Sequence, residues 1–189
     1  ENMKNIKSYL ITDPNYFSDN KEIFKEKLIA VLKNHKIDFA CFRDKSSQNI
    51  EELAKIFLEI CKEFKIENIL INSNISLAIK LGFDGVHLNS QQFDKIENAK
   101  KSNLITIISC HNLEELEKAM NKNIDFVTYS PIFDTPNKGE AKGVDKLNEV
   151  IEKFPNLKIF ALGGIIQNEQ IKEIEKTKAY GFASIRYFI

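Results

Sequence analysis

The chain has no excess of charge of either sign, since 27 lysine and arginine residues balance 27 aspartate and glutamate residues among 189. A balanced chain creates no net field toward nucleic acid or an anionic membrane, so we expect neither as a partner. No apolar run approaches the roughly 20 residues that span a bilayer, and the amino-terminal region lacks a basic segment followed by an apolar one. We therefore expect a cytoplasmic protein that binds any anion through local groups.

Cysteine is scarce, and the chain has no linker rich in proline, glycine or serine. Cys41, Cys61 and Cys110 are far apart and form no Cys-x-x-Cys pair, so a zinc or redox site is not indicated and we expect reduced thiols. With 43% hydrophobic residues, the chain can bury one sizeable core. We predict a single domain over residues 1–189.

Short β-rich runs alternate with longer amphipathic stretches rich in lysine and glutamate, the pattern of repeated βα units on a parallel sheet. Eight strands are predicted, at Ile6–Thr12, Asp38–Asp44, Asn68–Asn72, Gly85–Leu88, Leu104–Ser109, Asp125–Ser130, Lys158–Leu162 and Tyr180–Ser184. Helices are predicted over Asn49–Phe64, Gln92–Lys101, Asp145–Phe154 and Asn168–Lys176, and one should begin at Asn112, with Glu115 reaching back as in a capping box.

Eight strands fit either an open doubly wound sheet or a closed barrel. The short period throughout favours the (β/α)8 TIM barrel, as does the glycine pair after the seventh strand, where barrels often build a phosphate site. Only Ile185–Ile189 follow the eighth strand, so the final helix should be short or absent. A truncated helix or a partner subunit covering the gap would both make a homodimer plausible.

Polar residues at the strand ends are the candidates for function. At the end of the second strand, alternation predicts that Cys41, Arg43 and Lys45 point one way and that Phe42 and Asp44 point the other. The two cations then form either an anion clamp or a pair of surface charges bonded to neighbouring acids. The loop at 130–139 reads either as a phosphate-closing loop or as a solvated turn. Gly163 and Gly164 suit a close approach to a ligand, a tight turn, or both.

Two histidines stand near strand ends. His111 follows Ser109 and Cys110 at the start of a helix, where a histidine can move a proton or merely pack and cap. A Cys110–His111 nucleophilic dyad is disfavoured, because adjacent residues of an extended strand point to opposite sides. For His87, we expect a buried, hydrogen-bonded imidazole.

Taken in order, these motifs resemble those of the thiamin phosphate synthase/TenI family of (β/α)8 barrels. The resemblance runs through Tyr9–Asp13, Arg43–Lys45, Ile69–Asn72, Leu81–Leu88, Ile108–His111, Pro131–Phe133 with Thr135 and Lys138, and Leu162–Ile165. It implies a pyrimidine diphosphate site at Arg43, Lys45, Asn72, Ser109 and Lys138. It also implies a thiazole phosphate site at Thr135, Gly164 and the turn after the eighth strand. We add Asn137, Gly163, Ser184 and Arg186 as substrate-binding candidates because they lie in the same loops.

The chain departs from the synthase pattern at several positions. Two aspartates that bind magnesium in the synthases correspond to Ser73 and Gln92, a glutamine corresponds to Cys41, a hydroxyl-bearing position corresponds to Asn137, and a serine corresponds to Arg186. Because magnesium prefers anionic oxygen ligands, the resemblance implies no cofactor here unless the synthase alternative holds. TenI-type proteins also lack the magnesium aspartates and are thiazole tautomerases with a proton-relaying histidine at the position of His111.

Three functions therefore stay open. The first hypothesis is a TenI-like thiazole tautomerase in which His111 is catalytic, no metal is bound, and Gly164, Arg186 and Lys138 anchor a thiazole phosphate. The second is a divergent thiamin phosphate synthase that uses Mg²⁺ and joins hydroxymethylpyrimidine diphosphate to the thiazole phosphate. The third is a non-catalytic protein that binds a phosphorylated ligand.

Overall fold

The computed structural model describes residues 6–189, in which parallel strands close into one barrel. The strands are β1 (Lys7–Ile11), β2 (Phe39–Phe42), β3 (Asn68–Asn72), β4 (Gly85–Leu88), β5 (Ile105–Cys110), β6 (Phe126–Tyr129), β7 (Ile159–Leu162) and β8 (Gly181–Ser184). Each pairs with its neighbours in chain order, and β8 pairs back onto β1. The predicted eight strands and (β/α)8 barrel are confirmed. Residues 1–5 of the predicted domain lie outside the described residues.

Strand alternation divides the buried side chains between the barrel interior and the layer beneath the helices. Tyr9 and Ile11 point into the interior, while Leu10 between them belongs to the outer layer. Aromatic rings fill much of the interior: the centroid of the Phe160 ring lies 5.1 Å from those of both Tyr9 and Phe39, in edge-on geometry. The interior is therefore packed as a core rather than open as a channel.

The helices lie around the outside of this barrel. They are α1 (Pro14–Phe17), α2 (Lys21–Asn34), α3 (Ile50–Glu63), α4 (Ile75–Leu81), α5 (Ile96–Lys101), α6 (Leu113–Asn121), α7 (Gly143–Lys153) and α8 (Asn168–Glu175). Five of them confirm the predicted helices to within a few residues; the Gln92–Lys101 stretch divides into a 3₁₀ turn, Phe93–Lys95, followed by α5. No described helix is both long and apolar enough to cross a bilayer.

Helices α1, α2 and α4 are not among the predicted elements. In α2 the buried residues Phe24, Leu28, Val31 and Leu32 recur at helical spacing, and the Asn20 side chain caps the first turn. The sequence of this segment therefore carries the pattern of a helix. Helix α4 has only seven residues, too few for a clear hydrophobic period, but Asn74 caps it and Gly82, in the left-handed conformation, ends it. Cap residues would have located both helices better than hydrophobic periodicity.

The segment after β8 forms only a 3₁₀ turn, Arg186–Phe188, which confirms that the final helix is short. Phe188 stacks on Phe182 with 5.8 Å between ring centroids, and its ring meets the edge of His35 at 5.3 Å. These contacts fix the turn against the outer layer. The homodimer stays a prediction.

We expect Phe160→Ala to lower the free energy of unfolding by about 3–5 kcal/mol, because it removes a fully buried ring from the centre of the interior. Urea unfolding followed by circular dichroism measures the loss. Ile79→Ala, on an exposed face of α4 where the side chain is 56% accessible, should change it by no more than about 0.5 kcal/mol. Equal effects of the two substitutions would contradict the packed interior.

Candidate active site at the carboxyl ends of the strands

All the predicted site residues lie at the carboxyl ends of strands or in the loops that follow, and so at one rim of the barrel. They do not all line one pocket. A cleft of about 580 Å³ lies between the loops after β2, β3 and β4, and of the predicted residues it includes Lys45 and Asn72. The others surround the barrel mouth or lie on the loops after β5 to β8.

The cleft contains two ammonium groups and several neutral polar groups. Lys45 and Lys95 both line it, and neither forms an ion pair with a described residue. Asn98 also lines it. Lys95 was missed as a site residue, because it lies in the helical stretch after β4 and resembles the other surface lysines there.

Strand alternation does not place Arg43 and Lys45 on one face, as we expected it to. Strand β2 ends at Phe42, so strand alternation does not extend to Lys45, which lines the cleft together with Asp44. Arg43 instead donates from Nη1 to Oδ2 of Asp13 at 2.9 Å, across the end of β1. Arg43 is therefore paired with a neighbouring acid, and its role in substrate binding stays a prediction.

The two positions that correspond to the magnesium aspartates hold neutral side chains, and that of Gln92 is bonded to the backbone. Nε2 of Gln92 donates to the carbonyl oxygen of Ser73 at 3.1 Å, and Oε1 of Gln92 accepts from the amide of Asn89 at 3.0 Å. The carboxylate of Asp44, on the same cleft, accepts from the amides of Ser46 and Ser47. Within residues 6–189 no group of three or more His, Cys, Asp or Glu side chains is placed to hold a metal. The residues present do not fit magnesium, which needs anionic oxygen ligands.

The loop after β6 packs tightly against Gly163 and Gly164. Amide groups of Ile132 and Phe133 donate to the carbonyl oxygens of Leu162 and Gly163 at 2.9 and 3.0 Å. A Cβ atom on Gly163 would lie 2.7 Å from Cα of Pro131, and one on Gly164 would lie 2.4 Å from the carbonyl oxygen of Asp134. Both glycines have positive φ, and their amide N–H groups bond to no described residue. Amides free in this way can bind an anion.

The remaining predicted residues of these loops differ in how far they are already bonded. Ser184 is buried, donates to the carbonyl oxygen of Ile165 at 2.8 Å and accepts from the amide of Tyr187, so it joins the loops after β7 and β8. The Thr135 hydroxyl donates to the carbonyl oxygen of Phe133. Asn137, Lys138 and Arg186 are exposed, and no described acid pairs with either cation.

His111 lies at the mouth in front of α6. The Asn112 side chain caps α6 as predicted, but the Glu115 carboxylate reaches His111 instead of Asn112: its Oε1 accepts from the His111 amide at 2.7 Å and lies 3.1 Å from Nδ1. This contact orients the imidazole and leaves Nε2 free. Cys110 points into the outer layer and is fully buried, and burial raises the pKa of its thiol. A Cys110–His111 dyad is excluded, and all three cysteines are free thiols.

His87 is buried and hydrogen-bonded, as predicted. The ring lies in the barrel interior, with Nδ1 2.6 Å from the hydroxyl of Tyr9 and Nε2 2.9 Å from Oγ of Ser109. Burial, with a smaller contribution from the nearby Arg43 guanidinium, lowers the pKa of His87 to about 3. The imidazole is therefore neutral at physiological pH.

Eight parallel strands with polar and cationic groups on the rim loops define the TIM-barrel class of proteins, and comparison with known proteins identifies the family. The profile of the thiamine monophosphate synthase family matches residues 8–188. The chain is 37% identical over 186 residues to "Putative thiamine-phosphate synthase 2" of Aquifex aeolicus (strain VF5), covering 96% of each chain. It is 32% identical over 154 residues to "Thiamine-phosphate synthase 1" of Streptococcus pneumoniae (strain ATCC BAA-255 / R6), covering 76% of this chain and 72% of that one.

Among solved structures, thiamine phosphate pyrophosphorylase from Pyrococcus furiosus superposes with a TM-score of 0.81 at 25% identity, over 95% of this chain and 85% of that one. A structure titled "Native KDPGal structure" has a TM-score of 0.75 at 12% identity, a likeness of fold alone. The chain belongs to the thiamine monophosphate synthase family, an enzyme family of thiamine biosynthesis. The predicted resemblance is thereby confirmed.

We expect Gly164→Ala to destabilise the protein by at least about 1 kcal/mol more than Gly139→Ala. Gly164 has φ of 68° and Gly139 has φ of 78°, so both substitutions strain the backbone. A Cβ at Gly139 meets no atom within 4 Å, whereas one at Gly164 meets the backbone of the loop after β6. Urea unfolding of the two variants measures the difference. Equal losses would show that the contact between these loops is not tight.

Proposed function

We propose that this protein is a thiamine-phosphate synthase that joins a pyrimidine diphosphate to a thiazole phosphate. The observation that carries the proposal is the 37% identity to the Aquifex aeolicus protein over 96% of both chains. Its other similar relatives include further thiamine-phosphate synthases, so the comparisons favour this reading over the tautomerase that our first hypothesis put forward. The partners are then two small phosphorylated heterocycles.

The cleft between the loops after β2, β3 and β4 suits the diphosphate. Lys45 and Lys95 bring two positive charges to its lining, and the amide of Asn72 adds a neutral hydrogen-bonding group. Among residues 6–189, Asp44 is the one carboxylate that lines the cleft, and backbone amides already engage it, which reduces its repulsion of an anion. A volume of about 580 Å³ accommodates a small heterocycle carrying a diphosphate.

The loops after β6, β7 and β8 suit the second phosphate. The free amides of Gly163 and Gly164 follow β7, and the exposed cations Lys138 and Arg186 lie on the loops after the neighbouring strands β6 and β8. Backbone amides together with flexible cations are a common way to bind a phosphate monoester. The Ser184 hydroxyl holds the loop after β7 at a fixed place, because it bonds to the carbonyl oxygen of Ile165.

In this reaction the bond between the pyrimidine's methylene carbon and its diphosphate breaks, a bond from that carbon to the thiazole nitrogen forms, and inorganic pyrophosphate leaves. Negative charge builds on the departing diphosphate, so Lys45 and Lys95 stabilise the transition state if they contact it. Since the cleft does not fit magnesium, these ammonium groups take over the charge compensation. The absence of a cofactor stays a prediction.

Mixing the purified protein with both phosphorylated precursors should yield thiamine phosphate and pyrophosphate, with activity persisting when a chelator replaces magnesium. We expect Lys95→Ala to lower kcat/KM at least about tenfold, because it removes one of two cleft cations. The control Lys122→Ala changes an exposed lysine outside the cleft and should leave kcat/KM unchanged. No product under any condition contradicts the synthase, and product that requires added magnesium contradicts the metal-free cleft.

The geometry of His111 favours thiazole tautomerase as a second candidate. A base whose other ring nitrogen is held by a carboxylate is the usual arrangement for proton transfer, and Glu115 holds Nδ1 of His111 at 3.1 Å. Nε2 of the 45%-exposed side chain is then free to carry a proton between a ring carbon and the exocyclic carbon of the thiazole. The neutral side chains of Ser73 and Gln92 also favour the tautomerase, because isomerisation needs no metal.

For that candidate, His111→Gln should lower metal-independent ring isomerisation on the order of 10²–10⁴-fold, since it removes the proton carrier. Phosphate-ligand affinity and the synthase reaction should be retained. His35→Gln, which changes a histidine packed on Tyr187 and Phe188, is the control. Unchanged isomerisation in His111→Gln defeats the tautomerase, and ligand binding without turnover in either assay identifies the non-catalytic binding protein.

A further inference from the structure

The hydroxyl of Tyr9, the imidazole of His87 and the hydroxyl of Ser109 form a continuous hydrogen-bonded chain inside the barrel. Tyr9 comes from β1, His87 from β4 and Ser109 from β5, so the chain crosses the interior from one wall to the other. Tyr9 is fully buried and His87 is 4% exposed, whereas Ser109 is half-buried at the mouth. The chain therefore leads from the core to the place where a ligand enters.

Each member of this chain has one proton to contribute, and the acceptors available to Tyr9 indicate its direction. Tyr9 Oη lies 2.6 Å from His87 Nδ1, His87 Nε2 lies 2.9 Å from Ser109 Oγ, and Tyr9 Oη is hydrogen-bonded to no other described oxygen or nitrogen. Burial raises the pKa of Tyr9 well above its usual value, so its proton stays in place. If His87 Nδ1 instead donated to Tyr9, the Tyr9 hydroxyl would have to donate to the sulfur of Cys41, which is a weak acceptor.

With this direction, Ser109 accepts from His87 and keeps its own proton available. The register partner of Ser109 on β6 is also polar, Thr128. Thr128 Oγ1 is buried and bonds to no described residue, so it does not take up the proton of Ser109. The proton therefore faces the half-open mouth, where the Arg43 guanidinium also lies near enough to act on His87.

We propose that Tyr9 and His87 form a buried relay that holds the imidazole as its Nε2–H tautomer, so that the hydroxyl of Ser109 donates to an anionic oxygen of the ligand at the barrel mouth. Tyr9 and His87 are then positioning residues, and Ser109 is the residue that contacts the ligand. The ligand half of this inference rests on the proposed function; the tautomer half does not.

Long-range ¹H–¹⁵N correlation spectra of the ¹⁵N-histidine-labelled protein at pH 7 test the tautomer directly. The chain has three histidines, so His35→Gln and His111→Gln assign the remaining signal to His87. We expect a neutral ring protonated at Nε2 in the wild-type protein. A ring protonated at Nδ1, or at both nitrogens, overturns the inference without any need for a variant in the relay.

Tyr9→Phe tests the coupling between the relay and the ligand. Without the Tyr9 donor, Nδ1 loses its partner and the Nε2–H tautomer is no longer enforced, so Ser109 can donate to Nε2 instead and calorimetric affinity for inorganic pyrophosphate falls about twofold or more. Ser109→Ala should lose at least as much, and the double variant should be no weaker than Ser109→Ala, since both substitutions act through the Ser109 proton. Additive losses contradict the relay.

Tyr180→Phe is the matched control. Its ring packs against Phe126 and Phe160 at the opposite end of the interior, and its hydroxyl bonds to no described residue, so pyrophosphate affinity should be unchanged. Equal losses in Tyr9→Phe and Tyr180→Phe would show a general packing effect and overturn the inference. If the wild-type protein binds no pyrophosphate, the proposed function and the ligand half of the inference fail together, and an Nδ1–H tautomer would refute the relay separately.

Discussion

The pairing of β8 with β1 is the contact on which the site depends. Four register pairs, from Lys7 with Gly181 to Leu10 with Ser184, close the sheet, and closure brings the ends of all the strands into one ring. The seam is close: a Cβ on Gly181 would lie 2.3 Å from the carbonyl oxygen of Lys7. Without closure, the loops after β2 and β7 would stand at distant points of an open sheet. With closure, both belong to the same rim.

That rim has two regions that differ in how they bind an anion. The region above β2, β3 and β4 is a cleft whose charge comes from flexible lysines, Lys45 and Lys95. The region above β6, β7 and β8 offers backbone amides of Gly163 and Gly164, held by close packing of one loop against the next. Between them, Arg43 and Ser109 lie at the mouth above an interior that is aromatic below and polar at the top. This division suits an enzyme that brings two phosphorylated molecules together.

The fold was predictable from sequence because parallel strands in a barrel are short, apolar and regularly spaced, and the family motifs repeat that order. The details of the site were less predictable, for physical reasons. Arg43 and Lys45 were expected to point the same way, but the chain leaves the strand after Phe42, and the Arg43 guanidinium forms an ion pair with Asp13. Glu115 was expected to cap its own helix, but its carboxylate reaches one residue further, to His111. Lys95 and the chain from Tyr9 to Ser109 depend on three-dimensional proximity between distant segments, which single residues do not signal.

The central claim is that the rim holds two separate anion sites. Titration of the thiazole phosphate into protein already saturated with inorganic pyrophosphate tests it most directly, by calorimetry. The account predicts that the thiazole phosphate still binds, with one ligand per chain and an affinity changed by no more than a few-fold. Loss of thiazole phosphate binding in proportion to bound pyrophosphate would show that the two anions compete for a single site, and would contradict it.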